Sequence, residues 1–313
     1  NIPLCALNVV GIRGKSVFQK LKAPILMFYA VCRGVLLLKK HRPCCVLGMG
    51  GFASAAGGFS AFLTGVPLII QEQNDIAGTT NRILAHVATK IFTGFPSVFI
   101  ENKKSFYSGN PLRTSFYQQL VSGRVDRQNM AAESRPLNIL VLGGSLGAHS
   151  LNEVVPLALA SISAQAEFSV RHQTGKKDVA SVYEAYQLAN VEAKVEAFID
   201  DIYLAYRQAD LVIARSGALT VSEIAAVGVA CVLVPYPYAS DNHQYANAEW
   251  LVNTGGAICI SDADFTVTNT QSVLSELVAN RSELIDKGNK VNSVAMPDAT
   301  DIIGSACMGY AYA

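Results

Sequence analysis

Charge is scarce in this chain. Asp, Glu, Lys and Arg make up only 16% of its 313 residues, and the formal net charge is +1. No global field draws it toward nucleic acid, so any basic partner surface must be local. Cysteine is present but unpatterned: Cys5, Cys32, Cys44, Cys45, Cys231, Cys259 and Cys307 form no CxxC pair and no Cys/His cluster with zinc spacing. That argues against structural metal and for buried thiols in a reducing compartment. No apolar run is long enough to span a bilayer. The longest, 23–38, is interrupted by Arg33, and a span needs about 20 residues. The opening residues show no signal-peptide pattern, and the chain carries neither an internal repeat nor a low-complexity tract.

What the chain has in quantity is core-building material, 50% of its residues being hydrophobic. Its length suggests two domains. Short apolar runs alternate with helix-like segments: Cys45-Val-Leu47, Val66-Pro-Leu-Ile-Ile70, Lys90-Ile-Phe-Thr93, Asn138-Ile-Leu-Val-Leu142, Asp210-Leu-Val-Ile-Ala214 and Cys231-Val-Leu-Val234. Near-continuous apolar strands separated by helices predict α/β architecture, with parallel sheets covered on both faces. We read 1–113 as a first domain, 114–136 as a polar seam without apolar period, 137–295 as a second domain and 296–313 as a C-terminal helix returning to the first. The first domain is expected to lack its opening strand, loop and helix, because Asn1 falls straight into a late strand-and-loop. Two doubly wound domains place a ligand in the cleft between them, at the carboxyl ends of the strands.

Several turns carry candidate chemistry. "LNILVLGGSLGAHSLNEVV" (137–155) reads as strand, Gly-rich turn and helix, with Ser145 at the helix start. A helix N-terminus offers unpaired N–H groups and partial positive charge, which suits a phosphate. The spacing is not GxGxxG and no P-loop Lys follows, so a tight turn without ligand is the plainer reading. "RSGALTVSE" (215–223) supplies a second strand-to-helix turn. Thr220-x-x-Glu223 fits a capping box, with Thr220 as the cap and Glu223 at the third helical position. A start nearer Ala218 would instead carry Glu223 past the capping position. Two such helix ends can hold a pyrophosphate without a metal, and no DxD-like motif lies near either turn.

Other polar stretches flank apolar runs. "CCVLGMGGFASAAGGFSAF" (44–62) is a third Gly-rich turn. "QEQN" (71–74) sets Gln71, Glu72, Gln73 and Asn74 at a strand's carboxyl end, where amides that read sugar hydroxyls compete with a capping role. Asp200 and Asp201 suit a helix start better than catalysis, and His243 suits hydrogen bonding better than base chemistry.

"GMGGFASAAGG", "QEQNDIAGTTN", "GNPLR", "GGSLGAHSLN", "FIDDI", "RSGALTVSE" and "HQYANA" occur in the order found in the MurG family. These glycosyltransferases make lipid II in bacterial cell-wall synthesis. The resemblance runs from about Val10 to Thr300. It implies a GT-B fold of two Rossmann-like domains, the first for a lipid acceptor at the membrane and the second for UDP-GlcNAc. It also implies inverting transfer of GlcNAc to the C4 hydroxyl of MurNAc in lipid I, without a metal cofactor. Carried over residue by residue, Ile199 matches the backbone partner of uracil and Glu223 the ribose-diol ligand. Ser145 and Ala218, Leu219 and Thr220 match diphosphate and sugar contacts, with Val221 and Ser222 in the same turn. Gln244 and Asn74 match the GlcNAc side, and Arg113, Asn152 and Arg215 match neighbouring positions.

The departures lie in the first domain. The family's GGTGGH loop, which brings a His suggested as the base, does not occur. Gln71 stands where the family often has His, and Phe52 where it often has Tyr. Glu72 is the remaining candidate base. The segment 18–42 sets Lys20, Lys22, Arg33, Lys39 and Lys40 among Ile25, Met27 and Phe28. This suits either a buried helix with solvated ends or peripheral contact with an anionic membrane, at the cytoplasmic face of the inner membrane by family resemblance. Two alternatives stay open: a truncated, non-catalytic UDP-sugar-binding relative, and a GT-B transferase with a different acceptor.

Overall fold

The computed structural model describes residues 4–7, 17–122, 135–144 and 147–311, with 17–22 described in backbone only. It divides into two compact units, Asn1–Pro111 with Asp298–Ala313, and Leu112–Pro297.

The first unit is built on a four-stranded parallel sheet in the order β1-β2-β3-β4. The strands are β1 (Val46–Gly48), β2 (Leu68–Glu72), β3 (Lys90–Thr93) and β4 (Ser105–Tyr107). Its helices are α1 (Val17–His41), α2 (Gly51–Thr64) and α3 (Thr79–Leu84). One face of the sheet packs Leu68, Ile70 and Ile91 against Ala61, Leu84 and Ala88. The other packs Ile69 and Phe92 against Ile303 of the C-terminal helix Ala299–Met308. β2 is buried along its whole length because both faces are covered. α1 lies on α2, where Ser60 Oγ donates to Val31 O at 3.0 Å. Its opposite face is open: Ile25, Phe28, Tyr29, Cys32 and Leu36 are exposed, at the spacing of one helical stripe. The helix therefore has a bare apolar side as well as solvated ends.

The second unit holds a six-stranded parallel sheet in the order β10-β9-β8-β5-β6-β7. The strands are β5 (Leu137–Leu142), β6 (Phe168–Gln173), β7 (Glu192–Glu196), β8 (Leu211–Ala214), β9 (Ala230–Leu233) and β10 (Ala257–Cys259). Chain order reverses between β5 and β8, the position at which such sheets open a binding crevice. Leu137, Ile139, Val141, Val170, Leu211 and Ile213 fill the core against Leu151, Val155, Leu159 and Tyr186 from the covering helices. The expected seam begins with structure: Thr114–Ser122 is a helix, α4, in this unit. Phe116 anchors it, packing edge-on against Tyr203 and Tyr206 at 5.2 and 6.0 Å between ring centres. One buried aromatic is enough to seat it, although the run shows no sustained apolar period. Residues 123–134 of the seam lie outside the described residues.

Candidate functional site

Two turns leave the sheet of the second unit at its switch point. After β5, Gly143 and Gly144 lead toward helix α5 (His149–Ser161). Gly144 and Gly147 have φ of 78° and 80°, which favours residues without a Cβ. A side chain at Gly147 would also collide with Thr174 O, so the turn is pressed onto the end of β6. The α5 N-cap, Ala148, makes no side-chain capping bond, and no acidic residue lies in the first turn. Ser145 lies outside the described residues.

After β8, the turn Arg215-Ser216-Gly217 opens helix α8 (Ala218–Val227), and its N-cap is Gly217, again without a side-chain cap. This corrects the capping-box reading: Thr220 is the third helical residue and Glu223 the sixth. The strand ends at Ala214 and Gly217 is already extended (φ −63°, ψ 145°), so the helix starts earlier than the Ser/Thr-x-x-Glu pattern suggests. Ala218, Leu219 and Thr220 are at least partly accessible on the first turn. Val221 is fully buried and Ser222 Oγ donates back to Ala218 O at 2.8 Å. Neither offers its side chain outward.

Arg215 stitches the turn in place. Its Nη1 donates to Val234 O, Pro235 O and Asp262 Oδ1 (3.1, 3.1 and 2.6 Å), and its Nη2 to Ser150 Oγ at 2.9 Å. Ser216 Oγ donates to the backbone oxygen of Gln244 at 2.8 Å, and Asn247 Nδ2 donates to Ser216 O at 3.1 Å. These bonds tie helix α9 (His243–Val252) to the same turn. Gln244 Oε1 accepts from Tyr236 N at 2.9 Å. His243 Nδ1 meets Ser240 O at 2.6 Å, a local hydrogen bond at the start of α9.

Glu223 points away from its own helix start. It is 8% exposed, and Tyr206 Oη donates to its Oε2 at 3.2 Å. Tyr206 belongs to helix α7 (Ile202–Gln208), capped by Asp201, whose Oδ1 accepts from Leu204 N at 3.1 Å. Burial pushes the Glu223 carboxyl up to about 7, against the opposing charge of Arg113 and the Tyr206 hydrogen bond. Arg113, exposed just before α4, is thus brought to Glu223 within one unit. Ile199 is buried, and its N–H donates to Gln173 Oε1 at 2.9 Å. A ligand that needs this N–H must displace Gln173.

Tyr206, Gln173 and Ser216 were not singled out in the sequence. Tyr206 reads as one more apolar residue of "IYLAYRQ", and nothing local marks it as the carboxylate's partner. A separate cavity of about 340 Å³, lined by Asn138, Ser169, Arg171, Lys194 and Gln208, lies toward the amino ends of β5 to β7 and contains none of the expected residues.

In the first unit, Glu72 ends β2 and is 2% exposed. Its Oε1 accepts from Asn74 N at 3.1 Å, and its Oε2 from Gly78 N and Asn81 Nδ2 at 3.0 and 2.8 Å. Among the described residues, no group of three or more His, Cys, Asp or Glu is placed to hold a metal ion.

The comparisons with known proteins agree on the class. A glycosyltransferase family 28 C-terminal domain matches residues 138–303, and the N-terminal domain of the same family matches 1–93. The fold is GT-B, with two Rossmann-like parallel-sheet domains. A crystal structure of Acinetobacter baumannii MurG superposes with a TM-score of 0.83 and 35% identity, over 99% of this chain and 86% of that one. A UDP-GlcNAc 2-epimerase from Neisseria meningitidis, bound to UDP-GlcNAc, shares the fold alone, at 12% identity and a TM-score of 0.63 over 97% of this chain and 84% of that one. The UDP-N-acetylglucosamine--N-acetylmuramyl-(pentapeptide) pyrophosphoryl-undecaprenol N-acetylglucosamine transferase of Coxiella burnetii is 41% identical over 307 residues, 98% of this chain and 85% of that protein. Its counterpart in Azotobacter vinelandii is 40% identical, over 98% of this chain and 84% of that protein. The chain belongs to this MurG family of N-acetylglucosaminyltransferases.

Proposed function

We propose that this chain transfers N-acetylglucosamine from UDP-GlcNAc to lipid I, undecaprenyl-diphospho-MurNAc-pentapeptide, giving lipid II for peptidoglycan. The observation that carries the reading is a pair of helix N-termini that lack side-chain caps and follow the two strands at the switch point of one parallel sheet, with the buried carboxylate of Glu223 on the second of these helices. The helix ends present N–H groups and positive potential to the diphosphate. They receive the negative charge that grows on UDP as the anomeric C–O bond breaks. Ser145 and the 218–220 turn contact the diphosphate and sugar. Glu223 accepts from the ribose hydroxyls, and the backbone at Ile199 meets the uracil. Gln244 and Asn74 contact the GlcNAc side, and Arg113 supports the donor site. The acceptor hydroxyl attacks from the opposite face as a base removes its proton, so the anomeric configuration inverts.

The bare stripe on α1 suits peripheral attachment to a membrane. Ile25 and Phe28 are 70% and 72% exposed, and Arg33, Lys39 and Lys40 are exposed around the stripe. Apolar residues beside basic ones fit an anionic lipid surface, here the cytoplasmic face of the inner membrane. No described helix is long and apolar enough to cross a membrane.

The test is UDP release from UDP-GlcNAc with lipid I or with simple sugar acceptors. Turnover with lipid I supports the reading. Turnover with simple sugars alone would move the chain to another acceptor class, and binding without turnover on either would leave a UDP-sugar-binding relative.

A further inference from the structure

We propose that Glu72 is a positioning residue that frames the acceptor-side loop, rather than the base of the reaction. The proposal rests on the function above. A carboxylate has about four acceptor sites. Three in Glu72 are filled by the N–H groups of Asn74, Gly78 and Asn81. At 2% exposure, the remaining site can meet an incoming hydroxyl only if the loop opens. The carboxylate closes residues 73–78 into a ring anchored at the end of β2, and it fixes the polarity of Asn81. Asn81 Nδ2 is held by Glu72 Oε2 and by Gln71 O at 3.0 Å, so its Oδ1 must face the other way. That Oδ1 is buried and has no hydrogen-bond partner.

The same cluster reaches the Gly-rich turn after β1. Gln73 Nε2 donates to Met49 O at 2.8 Å. A Cβ on Gly50 would stand 3.3 Å from Gln73 Oε1 and 3.5 Å from Asn81 Nδ2. The turn that opens α2, whose N-cap Gly50 has no side-chain capping bond, therefore packs against Asn81, which Glu72 holds, and against Gln73, which follows it in the chain. Loss of that order should weaken acceptor binding.

The experiment compares Glu72→Gln with the wild type in steady-state transfer to lipid I and in amide hydrogen exchange. An amide at this position turns one acceptor into a donor facing an N–H. The expected result is a rise of roughly tenfold or more in the acceptor KM, the scale of a lost hydrogen bond to a charged group. The shape of the pH–rate profile should be unchanged, and exchange should be faster at Asn74 and Gly78. Asn81→Ala should repeat the KM effect and keeps the test open if Glu72→Gln folds poorly. An unchanged acceptor KM with unchanged exchange overturns the proposal. So does a collapse of kcat at constant KM with loss of the acid limb, which would make Glu72 the base. Wild-type turnover on lipid I checks the underlying function separately, and the exchange measurement addresses Glu72 even without turnover.

Discussion

Two buried carboxylates, one in each unit, are treated in opposite ways: Glu72 ends β2, and Glu223 lies within α8. Glu72 is buried and receives three N–H donors from its own loop. Glu223 is nearly as buried but receives one hydroxyl, from Tyr206, across 3.2 Å. Burial penalises an ionised carboxyl unless hydrogen bonds and charges compensate. Three donors make Glu72 part of the frame. A single donor leaves Glu223 short of compensation, with its carboxyl pushed up to about 7. A group held in that state gains by meeting further donors, and a ribose diol supplies two hydroxyls.

The largest expected effect is on stability against pH. Burial pushes the folded Glu223 carboxyl up to about 7 from its ordinary value of 4.5, so the folded state binds more protons than the unfolded one between these values. Stability should therefore fall as pH rises from about 4.5 to 7, by an amount on the order of 3 kcal/mol. Glu223→Gln should abolish that decline, as read from urea denaturation at a series of pH values. Equal slopes in variant and wild type would remove the contrast with Glu72.

Tyr206→Phe comes next. It takes away the donor of the 3.2 Å bond and should cost about 1 to 2 kcal/mol of stability above pH 7. It should also move the Glu223 titration further up, a shift that carbon NMR of the carboxyl can follow. Asp201→Ala removes the cap of α7, which bears Tyr206. It should lower stability by about 1 kcal/mol and leave donor affinity within about twofold, since it touches the partner's helix and not the carboxylate. The smallest effect belongs to Arg113→Ala. Its side chain is exposed, and solvent screens its charge, so the Glu223 titration should rise by only about half a unit or less.

How much of this was legible depended on whether the physics was local. β5 and β8 could be read directly, because a strand buried on both faces is a near-continuous apolar run that stops at a turn, Gly143-Gly144 after β5 and Arg215-Ser216-Gly217 after β8. The start of α8 stayed open between two readings, and the structure takes the one at Ala218. Thr220 and Glu223 have capping-box spacing, yet the strand before them ends early enough for Gly217 to become the cap. The Tyr206–Glu223 bond and the Glu72–Asn81 bond join residues on separate elements, 17 and 9 positions apart. No periodicity encodes such pairs. The α4 helix was lost for a related reason: Phe116 is held by Tyr203 and Tyr206, which lie far along the chain.

The contrast between the two carboxylates comes down to one calorimetric comparison: UDP-GlcNAc binding to the wild type, Glu223→Gln and Glu72→Gln at pH 8, above the value of about 7 to which burial pushes Glu223. The account predicts a loss of roughly tenfold to a hundredfold for Glu223→Gln, the scale of hydrogen bonds to a charged group, and a smaller loss for Glu72→Gln, which acts only through the backbone it holds at Asn74. Unchanged affinity in Glu223→Gln, or equal losses in both variants, would contradict it.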